Sequence, residues 1–127
     1  MFERIGKIGD TFLGIEDHGI MSFFLHFDFG GTGQGFGGYC LDTYDGGLKK
    51  RIGTAGGLDL ILGILRACGV EKWEDIKGKT MYALYDNDSY DQMIKGIKAL
   101  PFESGGEFLI EEWQKKWFPG ESKNERT

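Results

Sequence analysis

The sequence predicts an α+β fold: an antiparallel sheet of about five strands packed with one apolar central helix and a C-terminal helix. Three observations predict it. Met21, Phe23, Leu25, Phe27 and Phe29 alternate with Ser22, Phe24, His26 and Asp28, the period-2 pattern of a strand with one buried face. Leu58, Ile61, Leu62 and Leu65 recur at i, i+3, i+4 and i+7, the spacing of a helix stripe. Glycine supplies 22 of 127 residues, well above the roughly 7% of an average chain, which favours strands, bulges and tight turns over a helical bundle.

The elements follow in order. Residues 2–15 read as a first strand, broken at Gly6 and Gly9. Asp17-His18-Gly19 is a turn, because Asp tolerates turn conformations and glycine supplies positive φ at no steric cost. Residues 21–29 return antiparallel. Residues 36–42 read as a third strand, and Asp45-Gly46-Gly47 as a turn. Leu48-Lys49-Lys50-Arg51-Ile52 is a short basic segment, either an edge strand or an exposed loop. Residues 54–68 are the clearest helix, with Thr54 as N-cap and Gly69 placed to end it. Its apolar side chains spread beyond one stripe, so it should be buried on most of its surface, against the sheet and a second subunit. Gly56, Gly57 and Gly63 weaken a helix by roughly 1 kcal/mol each and fit a close crossing by another element. After a helical turn near Trp73, residues 80–85 and 93–100 read as a hairpin around Asp86-Asn87-Asp88-Ser89. Ser104 and Glu107 fit a capping box, followed by a helix with Leu109, Trp113 and Trp117 on one face. One domain spans 1–120, and the polar residues 121–127 read as a disordered tail.

Composition limits the function classes. A net charge of −5 argues against nonspecific nucleic-acid binding, which needs a basic footprint. The apolar run near residues 58–65 is too short to span a bilayer, and no apolar segment of signal-peptide type opens the chain. Cys40 and Cys68, without a CxxC motif, read as two buried free thiols in a reducing cytoplasm.

Chemical motifs are sparse. Gly33-Gln34-Gly35-Phe36-Gly37-Gly38 has the form G-x-G-x-x-G, but a dinucleotide site needs a helix directly after it, and Tyr39-Cys40-Leu41-Asp42 reads as strand. The glycine-rich segment 30–38 is then either a twisted strand or a nest of backbone N–H groups for an anion. Gly78-Lys79-Thr80 resembles the end of a P-loop but lacks the earlier glycine. Asp86-Asn87-Asp88 lacks the glycine and distal glutamate of a calcium loop. His26 and Asp28 share a strand face, with Cys40 a cross-strand neighbour in one arrangement, but a nucleophile needs both a base and an orienting group. No catalytic residue, metal ligand set or cofactor is assigned.

Several strings carry a resemblance. Leu13-Gly14-Ile15-Glu16-Asp17-His18-Gly19-Ile20, then Gln34-Gly35-Phe36-Gly37-Gly38-Tyr39 and Leu41-Asp42, resemble a group of small accessory proteins of bacteriophages and prophages. Gly69-Val70-Glu71-Lys72-Trp73-Glu74-Asp75 and Trp117-Phe118-Pro119 are similar to the same group. The resemblance implies a setting in the host bacterial cytoplasm and action by binding: blocking a host defence complex or sequestering a nucleotide messenger. The surfaces expected to do so are Glu16, Asp17 and His18; Gln34, Gly35 and Phe36; and Lys49, Lys50 and Arg51. The nucleotide version expects the basic segment beside the glycine-rich one. A homo-oligomer is expected. A small hydrolase using His26 and Asp28, and a structural virion component, are the alternatives.

Overall fold

The computed structural model describes residues 1–89 and 92–120. The fold is α+β. Strands β1 (Phe2–Ile15), β2 (Met21–Asp28) and β3 (Gly33–Gly37) form a meander, and β4 (Asp42–Asp45) and β5 (Lys50–Gly53) form a separate hairpin. Helix α1 (Ala55–Cys68) follows, then a 3-10 turn at Trp73–Asp75. Strands β6 (Thr80–Tyr85), β7 (Gly96–Lys98) and β8 (Glu107–Leu109) lead into helix α2 (Ile110–Trp117). The main sheet has six strands in the order β3-β2-β1-β6-β7-β8, every neighbouring pair antiparallel.

Strand β1 organises the sheet. Its first half, Phe2 to Lys7, pairs with β6, and its second half, Lys7 to Ile15, pairs with β2. The register shifts between Ile8 and Thr11, a bulge that bends the strand and increases its twist. The strand is therefore shared between two partners that overlap only near Lys7. Phe23, Leu25 and Phe27 of β2 are fully buried, as are Ile8, Ala83 and Ile97 on the other strands. Leu60, Ile64 and Cys68 of α1, with Ile110 and Trp113 of α2, complete the same core.

Helix α1 starts and stops where its local residues say. The Thr54 hydroxyl accepts from the Gly57 N–H at 2.9 Å, and Gly69 takes the left-handed conformation at φ 70°. Its glycines are contact points. A Cβ on Gly57 would lie 2.0 Å from the Leu41 carbonyl oxygen, and one on Gly63 would lie 2.7 Å from the Phe108 ring.

Several expectations are corrected. The third strand lies at Gly33–Gly37 rather than 36–42; Gly37 and Gly38 take positive φ, and past them the chain stays beside β2 through the Gly38 N–H to Phe23 carbonyl and Leu41 N–H to Met21 carbonyl bonds. The partner of β6 is shorter than 93–100, pairing only over Gly96–Lys98. Ser104 and Glu107 do not cap a helix. Glu107–Leu109 pairs with β7 instead, and α2 begins at Ile110 with no side-chain cap. Helix α1 is less enclosed than its composition suggests, since Leu58 and Leu62 are exposed. Cys40 is exposed, not buried; only Cys68 is buried. Residues 121–127, read as a tail, lie outside the described residues.

Candidate functional site: the β4–β5 arm

The β4–β5 hairpin is a two-stranded sheet of its own. Such a hairpin is marginal alone, so its anchors matter. Arg51 supplies the main one. Its Nε donates to Asp42 Oδ2 at 2.9 Å and its Nη2 to Asp42 Oδ1 at 3.0 Å, a bidentate fork. The Asp42 carboxylate also accepts from the Met21 N–H at 3.2 Å, which ties the hairpin root to the start of β2. The Leu41 N–H donates to the Met21 carbonyl at 2.9 Å, and the Thr54 hydroxyl donates to the Leu41 carbonyl at 2.9 Å. Cys40 joins from the side: its thiol donates to the Asp42 carbonyl, and its sulfur accepts from Arg51 Nη2 at 3.4 Å.

The far end of the hairpin is shaped by Asp45. Its carboxylate accepts from the N–H groups of Gly47 and Leu48 at 2.8 and 2.9 Å. Lys49 completes the turn at φ 56°, an uncommon conformation for a residue with a Cβ. The backbone of the tip is therefore held in one turn. Tyr44 is 58% exposed and Leu48 60% exposed, beside the exposed Lys49 and Lys50. Among the described residues neither lysine has an ion-pair partner.

The three expected surfaces separate as follows. Glu16, Asp17 and His18 are exposed at the β1–β2 turn. Glu16 is bonded there, accepting from the buried Ser22 hydroxyl. This turn and Arg51 share one end of the molecule through the Met21–Asp42 bond. Gln34 belongs to the other end of β2, opposite Phe27, roughly 20 Å along the strand from Met21 at 3.3 Å per residue. It bridges the sheet edge to the β6–β7 connection, accepting from the Tyr85 hydroxyl at 2.7 Å and donating to the Gln92 carbonyl at 2.8 Å. Phe36 is core, 1% exposed, with its ring edge-on to Phe23. Gly35 is a strand residue overlain by the Phe24 ring, which a Cβ there would meet at 1.9 Å.

The glycine-rich stretch is thus a twisted strand between Gly33 and Gly37, and its glycines leave room for Phe24 and His26. Arg51 is bonded to Asp42. Gly35, not Cys40, stands opposite His26, and Asp28 accepts from the Gly30 N–H at 2.9 Å. No group of three or more His, Cys, Asp or Glu gathers to hold a metal among the described residues. A cleft of 190 Å³ between α1, β8 and α2 is lined by Arg66, Glu107, Glu112 and Lys116 among others; it is smaller than the roughly 300 Å³ at which ligand pockets begin. No helix among the described residues is long and apolar enough to cross a membrane.

The hairpin anchor is a charge pair with a pH signature. Hydrogen bonding from Arg51 holds the Asp42 carboxyl below its ordinary 3.8. A carboxylate with a depressed folded-state pKa adds stability above its unfolded pKa, and that stability is lost as pH falls through the folded value. Asp59, depressed by its bonds from Trp117 and Lys116, adds to the same acid limb. Stability should therefore fall as pH drops below about 4, and Asp42→Asn should flatten that limb. Urea midpoints between pH 6 and pH 2.5 check it; an unchanged slope in the variant would count against the anchor. Burial pushes the Cys68 thiol up to about 12, so it stays a neutral core thiol at physiological pH.

Sequence reasoning missed Tyr44 and Leu48. The signal was present as two apolar side chains flanking Asp45-Gly46-Gly47, but only the separation of the hairpin from the main sheet exposes them. The chain matches no family model, no curated protein and no solved structure.

Proposed function

We propose that this chain is a non-enzymatic phage accessory protein that counters host defence in the bacterial cytoplasm by binding a defence protein complex. The setting rests on the resemblance carried by Leu13–Ile20, Gln34–Tyr39 and Trp117-Phe118-Pro119. The observation that carries the binding reading is the anchored arm with Tyr44, Leu48, Lys49 and Lys50 at its exposed end. An aromatic and an aliphatic side chain beside two free cations fit a partner surface with an apolar socket and an acidic rim. The protein-partner form is favoured over the nucleotide form because Arg51 is bonded to Asp42 and the Gln34 and Phe36 amides lie in the ladder with β2.

The test compares wild-type protein with the Tyr44→Ala/Leu48→Ala variant as bait in host lysate. Both side chains are exposed, so far-UV circular dichroism should be unchanged. The complex retained by wild type should weaken at least tenfold in the variant, about 1.4 kcal/mol or more. A complex that the variant retains in full would move the contact off the arm. If no complex forms and heat releases a nucleotide from the purified protein, sequestration replaces the protein-partner reading.

A further inference from the structure

Among the described residues the outer edge of β3 is unpaired. The Gly38 N–H donates to the Phe23 carbonyl, and the Phe29 N–H donates to the Thr32 carbonyl. These two bonds fix the alternation of the hairpin between them. Gln34 and Phe36 face their backbone groups toward β2, while Gly33, Gly35 and Gly37 face theirs away from it. Among the described residues nothing bonds these outward groups. The opposite edge of the sheet differs. Strand β8 is three residues long, carries Glu107 and runs directly into α2. Edge strands commonly escape pairing through a charge, a proline or an inward lysine. Gly33-Gln34-Gly35-Phe36-Gly37 has none of these.

The edge is also self-complementary. Two antiparallel copies of β3 with their two-fold axis at Gly35 set Gly35 opposite Gly35 and Gly33 opposite Gly37. All three outward residues then exchange hydrogen bonds, about six in total. The exposed aromatic of this edge fits the same axis. Phe24 is 42% exposed, and its ring lies over Gly35 rather than over its own strand. Paired strands stand about 4.8 Å apart, so the two Phe24 rings would stand about 5 Å apart over the axis, inside the 4.5–7 Å range of aromatic pairs. His26 and Asp28 do not oppose the pairing. The His26 ring leans over Gly33, and Gly33 of one copy stands about 13 Å along the paired strands from Gly33 of the other at 3.3 Å per residue. The Asp28 residues sit on β2 of each copy, three strand spacings or about 14 Å apart. Both separations are beyond the roughly 8 Å screening length at physiological salt.

We infer that β3 pairs antiparallel with β3 of a second copy, joining the two main sheets into one continuous sheet with Phe24 packed against Phe24 across the axis. This surface is separate from the β4–β5 arm and does not rest on its proposed role. It also differs from pairing through the exposed Leu58 and Leu62 of α1.

Sedimentation velocity across a dilution series, with amide exchange followed by NMR, tests it. Wild type should sediment as a dimer that dissociates on dilution. The Gly33, Gly35 and Gly37 amides should be protected in the dimer and exchange freely in the monomer. Phe24→Lys should weaken the dimer at least tenfold. Phe12→Lys, on the same outer face but one strand further from the edge, should leave it unchanged; Phe12 is equally exposed at 42% and directly opposite Phe24 in the β1–β2 ladder. A monomer at millimolar concentration, a dimer that survives Phe24→Lys, or freely exchanging glycine amides in a dimer would each overturn the inference. The last result would place the dimer on another face. A monomer whose edge amides become protected only when a host protein is added would make the occupant a foreign strand and also overturn it. If Phe24→Lys does not fold, the wild-type exchange data decide alone.

Discussion

Trp113→Ala should be among the most damaging single substitutions in this chain. The indole is 6% exposed between α1 and the sheet, and its Nε1–H donates to the Gly56 carbonyl at 2.8 Å. Its ring stands edge-on to Phe118 at 5.5 Å. Truncating a buried aromatic to alanine costs about 3–5 kcal/mol through lost transfer energy and the cavity left behind. A domain of this size has only about 5–15 kcal/mol of total stability. The melting temperature should therefore drop by roughly 10–20 °C. Trp113→Phe separates the two contributions. It keeps most of the ring volume and removes the bond to Gly56, so it should cost about 1–2 kcal/mol. Urea unfolding of the three proteins checks both numbers. A loss under about 1 kcal/mol for the alanine variant would mean that α2 is not part of the cooperative core.

The placement of Trp113 shows which parts of the fold are legible along the chain. A tryptophan at helical spacing from Leu109 and Trp117 is visible as a core residue. The start of its helix is not. Ser104 and Glu107 have the local form of a capping box, but Glu107–Leu109 gains ladder bonds to β7, and a tertiary pairing outweighs a cap worth about 1 kcal/mol. Helix α1 had no such competitor: Thr54 and Gly69 act within a few residues of themselves, and both work as their types predict. The glycines of 33–37 were conspicuous in number and silent in meaning. Their reason is Phe24 and His26 on the neighbouring strand, and which residue stands opposite which is non-local information. Cys40 was misplaced for the same cause. Nothing in its neighbours says that Arg51 and Asp42 will hold it at the surface. Of the nine residues expected in a binding surface, Lys49, Lys50 and Arg51 lie on the β4–β5 hairpin. Sequence reasoning took Phe36 for a contact although Phe36 lies in the core, and it passed over Tyr44 and Leu48.

Gly57→Ala should be the sharpest test of how the arm is held, because two effects of opposite sign meet there. In a helix interior alanine is favoured over glycine by roughly 1 kcal/mol, and propensity alone predicts a stabilised protein. The new methyl group would instead lie 2.0 Å from the Leu41 carbonyl oxygen, 2.8 Å from its carbon and 2.9 Å from the Leu41 Cα. Those are backbone atoms, and they are not free to move. The Leu41 side chain is 4% exposed, its N–H is bonded to Met21, and its carbonyl accepts from the Thr54 hydroxyl. The same hydroxyl caps α1 through the Gly57 N–H. Moving Leu41 by the ångström or more that the methyl requires would strain the cap, the β2 contact and the hairpin root together. Overpacking of that kind costs about 1–3 kcal/mol or more, so the net change should be destabilising. Gly53→Ala is the control: a Cβ there meets nothing within 4 Å, and the change should stay within about 0.5 kcal/mol. The effect on binding follows from the position of Leu41. It is the residue immediately before β4, so a displaced Leu41 re-aims Tyr44 and Leu48 without altering either. At temperatures where Gly57→Ala is still folded, it should lose affinity for the protein partner proposed for the arm while Gly53→Ala keeps it. A stabilised Gly57→Ala protein with full binding would show that α1 and the hairpin root are not in contact as described.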